Sequence, residues 1–420
     1  MSRMSPHYLP PLGVLLAVGV MISCSEPPTV PSVVEPSAAR AVPAQSNLPV
    51  SPGWQAEARA LVALNKLSPF AAARVYAVLN VAQYRAVVAA DGHFDVEGTH
   101  PEHGLGTGGR RLIEGRRGAV AGASLQVLTF FFPAAAQSLE SRMLAEAAAG
   151  AGNVHPFYTR GFEIGRDVGD ALVARTRADG FATPWTGTVP TGVGIWRATP
   201  AGSAPVGAVL VNTTPWLLES ASQFRSPPPP AFGSSAFVAA TSEIFTLASQ
   251  RTPAQTKIAN DWNLPGGTYT PAGYWNDKAA TYVQAYSLDE RRATHVFALM
   301  HAAMFDSQVA CWDTKMYYWV PRPSQADPTI VPYLAFPVPN HPSYPSGHSC
   351  LSAAAGEVLT YFFPDRATEL DALVAEAGLS RMLAGIHFGF DVAAGQTLGA
   401  AVADWSIAAD EGDGLLAATL

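Results

Sequence analysis

The sequence predicts an all-α protein of two packed helical bundles joined by a long Pro/Gly-rich loop. Apolar residues recur at three- and four-residue steps in both halves of the chain, and no segment alternates polar and apolar residues over the length of a strand. No short-period repeat is present either. With 420 residues, 48% hydrophobic and only 14% charged, the chain holds ample apolar material for one large core or two domains. Disorder is excluded for most of its length.

The first 24 residues have the pattern of an export signal: Arg3, the apolar run Leu12 to Ile22, then Ser23-Cys24. Met21-Ile22-Ser23-Cys24 is loosely similar to a bacterial lipobox, in which Cys24 would be lipidated and become the mature N-terminus; simple secretion is the alternative. The chain is therefore expected to be exported, periplasmic or extracellular, with membrane attachment only through such a lipid. Residues 25–52 are rich in Pro, Ala, Ser and Val and read as a flexible tether. After residue 24 no uncharged apolar run approaches the roughly 18 to 20 residues of a spanning helix.

An N-terminal helical region is expected over residues 53–235. Leu61, Val62 and Leu64, then Val75, Val78, Leu79 and Val81, carry the helical period, and Pro133 and Gly150-Ala151-Gly152 punctuate it. Gly180 to Ser235 reads as loop, dense in Pro, Gly and Thr, and is expected to form the rim of a site. Its Trp185, Trp196 and Trp216 are expected to anchor the loop to the core. Helix resumes near Phe237, opening a C-terminal helical region over residues 236–420 that carries the chemistry.

Three motifs lie there in order. Arg291 to Val320 lacks proline and repeats Val296, Leu299, Met300 and Met304 at helical spacing, so a buried helix is expected. Lys315 and Arg322 are seven apart, which would put both on one helix face, with Pro321 and Pro323 ending the helix. Pro345-Ser346-Gly347-His348 precedes a small-residue helical stretch and is placed at its N-terminus, where free N–H groups and the helix dipole favour an anion. In the third motif His387 and Asp391 are spaced as i,i+4 neighbours on a helix, so the carboxylate can hold one ring nitrogen and present the other. Arg381 completes the set with a planar fork that grips two anion oxygens and keeps its charge.

Three fixed cations, a Ser-Gly turn and two histidines are what a tetrahedral oxyanion needs. Together these motifs resemble the signature shared by vanadium-dependent haloperoxidases and the type-2 phosphatidic acid phosphatase superfamily, which includes bacterial acid phosphatases. The resemblance implies a haloperoxidase/acid-phosphatase-like fold. It also implies that Lys315, Arg322, Ser346, Gly347 and Arg381 bind vanadate or phosphate. His387 would be the covalent residue, coordinating the vanadium of vanadate or forming a phosphohistidine. His348 would be the general acid and base, and Asp391 would orient His387. In a haloperoxidase Lys315 would polarise bound peroxide.

Within that superfamily His341, seven before His348, and Trp312, three before Lys315, resemble residues lining the haloperoxidase site. Ala71 to Ala90, Ser220 to Ser235 and Arg251 to Trp262 look like the helical N-terminal half of haloperoxidase-type proteins. The 33 positions between His348 and Arg381 are compact, as in acid phosphatases. The leading expectation is a haloperoxidase-like enzyme that uses vanadate, hydrogen peroxide and halide. The alternative is a secreted acid phosphatase acting on phosphomonoesters without that cofactor. A third reading is a non-catalytic phosphate-binding lipoprotein.

The remaining features point to little else. A net charge of −7 and no basic run beyond Arg110-Arg111 and Arg116-Arg117, which read as solvated, speak against nucleic acid. No HExxH, paired CxxC or GxSxG occurs, so neither a zinc signature nor a hydrolase elbow is present. Cys311 and Cys350 flank the site motifs, leaving open a bridge or two buried thiols. His295 and His301 read as core or surface histidines too far along their helix to reach the site.

Overall fold

Side-chain caps set where the helices that carry the site begin. The computed structural model describes residues 48–96, 107–149, 154–333 and 338–413. The export signal, Cys24 and most of the tether lie outside these. The helices are α1 (Ser51–Leu64), α2 (Pro69–Val96), α3 (Thr107–Phe131), α4 (Ala136–Ala148), α5 (Pro156–Ala178), α6 (Ser235–Ser249) and α7 (Pro253–Asp261). They continue with α8 (Thr270–Ala285), α9 (Glu290–Tyr318), α10 (Pro323–Ala326), α11 (Gly347–Phe362), α12 (Ala367–Leu383) and α13 (Gly389–Asp413). No strand occurs among the described residues, only an isolated bridge between Gly266 and Thr268. No described helix is long and apolar enough to cross a membrane.

The central helix is α9. Asp289 caps its N-terminus by accepting from the Arg292 N–H at 2.9 Å, and Trp319 closes it in the left-handed region at φ 53°. Nearly all of α9 is buried. Phe297, Met300 and Met304 pack into one core with Val75, Val78 and Leu79 of α2 and Leu351, Val358 and Leu359 of α11. Both halves of the chain thus feed a common apolar interior. Glu290 fastens the start of α1 to the start of α9, because its carboxylate accepts from the Val50 and Ser51 N–H groups at 2.6 and 3.1 Å.

Helices α3 and α5 approach so closely that side chains are excluded between them. A Cβ on Gly161 would lie 2.0 Å from the Gly115 carbonyl oxygen, and one on Gly165 the same distance from that of Ala119. Arg116 and Arg117 on α3 differ from the solvated pair expected. Arg116 forms a fork with Asp91, and buried Arg117 pairs with Glu114 and donates to the Glu146 carbonyl, because the α3 face that carries them turns inward against α2 and α4. Arg110 stays exposed.

The segment between Gly180 and Ser235 is irregular apart from one short 3-10 turn, Ala208–Asn212. Asp306 on α9 holds it. Its buried carboxylate accepts from the N–H groups of Trp216, Leu217 and Leu218 at 2.7, 2.7 and 3.1 Å. Trp196 is buried and Trp185 half-buried, both against Trp319, and Arg175 lies 3.7 Å from the Trp216 ring centroid. The three tryptophans anchor the loop as expected.

Two measurements test these supports. Asp306→Ala leaves three N–H groups without their charged acceptor and should cost about 3 kcal/mol in urea unfolding. Burial pushes Glu146 up to about 7 from 4.5 although Trp54 Nε1 donates to it. The folded state therefore keeps the proton that the unfolded chain releases, and stability from this group, full below 4.5, is lost as pH rises through 7. Glu146→Gln should match the parent at pH 4.5 and exceed it by up to roughly 3 kcal/mol at pH 8.

Candidate active site

The three site motifs converge at the C-terminal end of α9 and the N-termini of α11 and α13. Lys315 stands in the last turn of α9, 0% exposed. Its ammonium donates to the carbonyls of Pro342 and Ser343, each at 2.9 Å, and to that of Pro345. All three N–H bonds are thereby used, and the 342–345 turn is wrapped around one charge. Burial pulls its pKa down to about 8.

Arg322 does not share a helix face with Lys315. The left-handed Trp319 and then Pro321 end α9 four residues earlier, and Arg322 takes an extended conformation ahead of the short α10. Its length restores the convergence. Nε donates to the His341 carbonyl at 3.0 Å, Nη1 to the Ile386 carbonyl and to His387 Nε2, both at 2.9 Å, and Nη2 to the His341 ring at 3.1 Å. Arg381, in the last turn of α12, donates to Ser380 Oγ at 2.9 Å and to the Ala259 carbonyl at 2.8 Å. Burial lowers Arg322 to about 10 and Arg381 to about 9.

His387 also lies off the helix on which its spacing put it. It occupies the turn before α13, and Asp391 sits in the first turn. The pairing survives because the turn folds back. Asp391 Oδ2 accepts from His387 Nδ1 at 2.9 Å and from the Phe388 N–H at 3.0 Å, so one carboxylate oxygen both caps the helix start and holds the imidazole. Arginine only donates, so the His387 nitrogen facing Arg322 carries a lone pair and the proton is on Nδ1. Burial, then the charges of Arg322 and Lys315, hold the ring well below its ordinary pKa, which keeps it neutral.

Ser346 caps α11, with Oγ accepting from the Ser349 N–H at 3.4 Å, as the motif's position predicted. Its own N–H donates to the Asp391 carbonyl at 2.9 Å. The N–H groups of Gly347 and His348 open the helix and have no acceptor within it. His348 is half-buried and donates through Nε2 to the Trp262 carbonyl at 2.9 Å, leaving Nδ1 as an acceptor. Burial first and the charge of Arg381 second hold its pKa well below the ordinary imidazole value.

His341 packs against Trp312 with ring centroids 5.1 Å apart, and Trp312 also backs Gly347, where a Cβ would meet the indole at 3.3 Å. The long loop completes this wall. Trp312 Nε1 donates to the Val206 carbonyl at 2.9 Å, and the Val206 N–H donates to the Asn340 carbonyl at 2.8 Å. Gly207, at φ 81°, lies so close that a Cβ would come 2.4 Å from the indole nitrogen.

Sequence spacing missed Ser343 and the carbonyls of Ala259 and Trp262. Ser343 lies two residues after His341 in the run His341-Pro342-Ser343-Tyr344 that leads into the second motif. The two carbonyls come from the α7 segment, where no side chain announces them. Cys311 and Cys350 are free and buried. His295 pairs with Asp410 at 2.5 Å, and His301 is buried against Asn276, so neither joins the site.

The cluster therefore buries Lys315, Arg322 and Arg381, all at most 1% exposed, with Arg322 donating to the lone pair of His387 Nε2 and all three charges acting on His348. Among the described residues no carboxylate forms an ion pair with any of the three cations, and no three His, Cys, Asp or Glu side chains gather to cage a bare metal ion. Buried positive charge without paired carboxylates suits an oxyanion.

Residues 293–411 match the family model of the PAP2 superfamily. No curated protein matches the chain. Among solved structures, a bacterial vanadium-dependent iodoperoxidase is similar at TM-score 0.70 and 22% identity, covering 88% of this chain and 98% of that one. A bacterial vanadium-dependent chloroperoxidase is similar at TM-score 0.62 in both forms. The holo form has 15% identity over 84% of this chain and 94% of that one, and the apo form 14% over 84% and 96%. The stretch that carries the three site motifs thus matches the PAP2-superfamily model, within an all-helical fold similar to that of solved vanadium haloperoxidases.

Proposed function

We propose that this chain is a vanadium-dependent haloperoxidase-like enzyme that oxidises halide with hydrogen peroxide. The observation that carries the reading is the set of three buried cations, unpaired with carboxylate, beside two neutral histidines, one of which accepts from Arg322 through its unprotonated Nε2. Vanadate fits that donor set. Arg322 and Arg381 would hold its oxygens, with the Gly347 and His348 N–H groups at the helix start, and His387 Nε2 would meet the vanadium. Lys315 contributes charge at short range even while its N–H bonds hold the 342–345 turn.

When bound, vanadate supplies an electrophilic centre that activates peroxide for attack by halide. The protein's own part is electrostatic and positional. Asp391 keeps the His387 proton on Nδ1, so the reactive nitrogen faces the anion site. His348, with Nε2 committed to the Trp262 carbonyl, has Nδ1 free to accept and return a proton. A nearby bound anion offsets the cations that help depress the His348 pKa.

The same constellation suits phosphomonoester hydrolysis through a phosphohistidine, and the PAP2 match favours keeping that second reading. Vanadate is preferred because similarity to the solved haloperoxidases extends over 88% of the chain, and because His341 and Trp312 wall the site. The export signal of residues 1–24 and lipidation at Cys24 belong to the same proposal, which sets the mature enzyme outside the cytoplasm.

Two experiments decide. Orthovanadate at about 100 times its Kd should stabilise the protein by about 2.7 kcal/mol in thermal unfolding, and Arg322→Ala or Arg381→Ala should abolish that gain. A paired assay on mature protein should give halide oxidation with vanadate and peroxide, and His387→Ala should remove it. Phosphomonoester hydrolysis without halide oxidation would select the phosphatase instead. Activity surviving in His387→Ala would sink both readings.

A further inference from the structure

Asp391 offers two oxygens, yet its bonding is one-sided. Oδ2 accepts three bonds: from His387 Nδ1 at 2.9 Å, from the Phe388 N–H at 3.0 Å and from Ser343 Oγ at 2.5 Å. Oδ1 is buried and has no hydrogen-bond partner among the described residues. Two of the three donors belong to the same short turn as Asp391 and move with it. Ser343 is the donor that comes from elsewhere, 48 residues earlier.

Ser343 is itself immobilised on every side. It is fully buried, its N–H donates to the Val320 carbonyl at 2.9 Å, and its carbonyl accepts from Lys315 at 2.9 Å. The hydroxyl is therefore delivered from a fixed point between the first and second motifs to the carboxylate of the third. Its oxygen also lies 3.5 Å from His387 Nδ1, within the same small group of atoms.

We propose that Ser343 is a positioning residue that selects the Asp391 oxygen holding His387 and thereby fixes the ring plane of that histidine, whose Nδ1–H tautomer Arg322 also enforces. The inference rests on the reading that His387 Nε2 meets the central atom of the bound oxyanion. Without the hydroxyl, Oδ2 keeps only the donors of its own turn, His387 Nδ1 and the Phe388 N–H. The carboxylate then shifts with that turn, and the imidazole loses an acceptor anchored to the rest of the fold. A second contact of this kind controls ligand orientation, and its loss typically costs about 10- to 100-fold.

The test uses the full chain with Ser343→Ala and Ser343→Cys, the second close in shape but a weak donor. In anion-free protein, the Nδ1–H resonance of His387, assigned by its disappearance in His387→Gln, should lie downfield and exchange slowly with water in the parent. In Ser343→Ala it is expected to move upfield and to exchange faster. Whichever activity the paired assay detects should show kcat lowered about 10- to 100-fold in Ser343→Ala and by less in Ser343→Cys, with KM within about threefold. A parent-like Nδ1–H resonance together with parent-like kcat in Ser343→Ala would overturn the inference. If that variant does not fold, the same pair of results in Ser343→Cys overturns it. The resonance measurement involves no anion and no turnover, so it stands apart from the His387→Ala assay on which the functional reading depends.

Discussion

Lys315, Arg322 and Arg381 lie buried, and Asp391, the carboxylate whose charge acts on Lys315 and Arg322, is bonded to His387 rather than to either of them. Removing an ion from water costs several kcal/mol unless partners replace its hydration. Here the replacements are backbone carbonyls. Pro342, Ser343 and Pro345 surround the lysine, His341 and Ile386 the first arginine, and Ala259 the second. Because a carbonyl is only a dipole, the charges stay uncompensated as charges, which preserves the site's affinity for an anion. Because each cation binds carbonyls from other segments, the cations also set the courses of the turns that bring in Ser343, His341 and His387.

The rest of the molecule holds that arrangement still. Helix α9 carries Lys315 and is buried along nearly its whole length by both halves of the chain. Asp306 and Trp319, on or just past the same helix, tie down the long irregular segment. That segment in turn reaches Trp312 through Val206 and Gly207. A loop that reads as a rim is thus bonded to the indole that packs on His341. The N-terminal half acts on the site through packing and through this wall.

Charge state and geometry reinforce one another at the histidines. Burial depresses His387 and His348, and the neighbouring cations depress them further, so both rings are neutral with one lone pair each. The protons are placed by unrelated acceptors: the Asp391 carboxylate for His387 and the Trp262 carbonyl for His348. Each ring therefore keeps one nitrogen for a ligand or a proton. That division of labour is what either reaction open to this constellation requires.

The sequence alone determined the helical class, the burial of the segment around Lys315, the helix start at the Pro345 to His348 motif and the identities of the charged and imidazole groups. These follow from periodicity, capping chemistry and residue type, all of which act within a turn or two of chain. The tertiary structure decided that Arg322 and His387 stand beyond helix ends, and that Lys315 commits its N–H bonds to carbonyls. It also decided which nitrogen of each histidine is free, and that Ser343 belongs to the site. The physical reason is separation along the chain. The acceptor for Arg381 lies 122 residues away and that for His348 lies 86 away, and both are backbone oxygens that every residue possesses. Local pattern names the donors, and only folding chooses their partners.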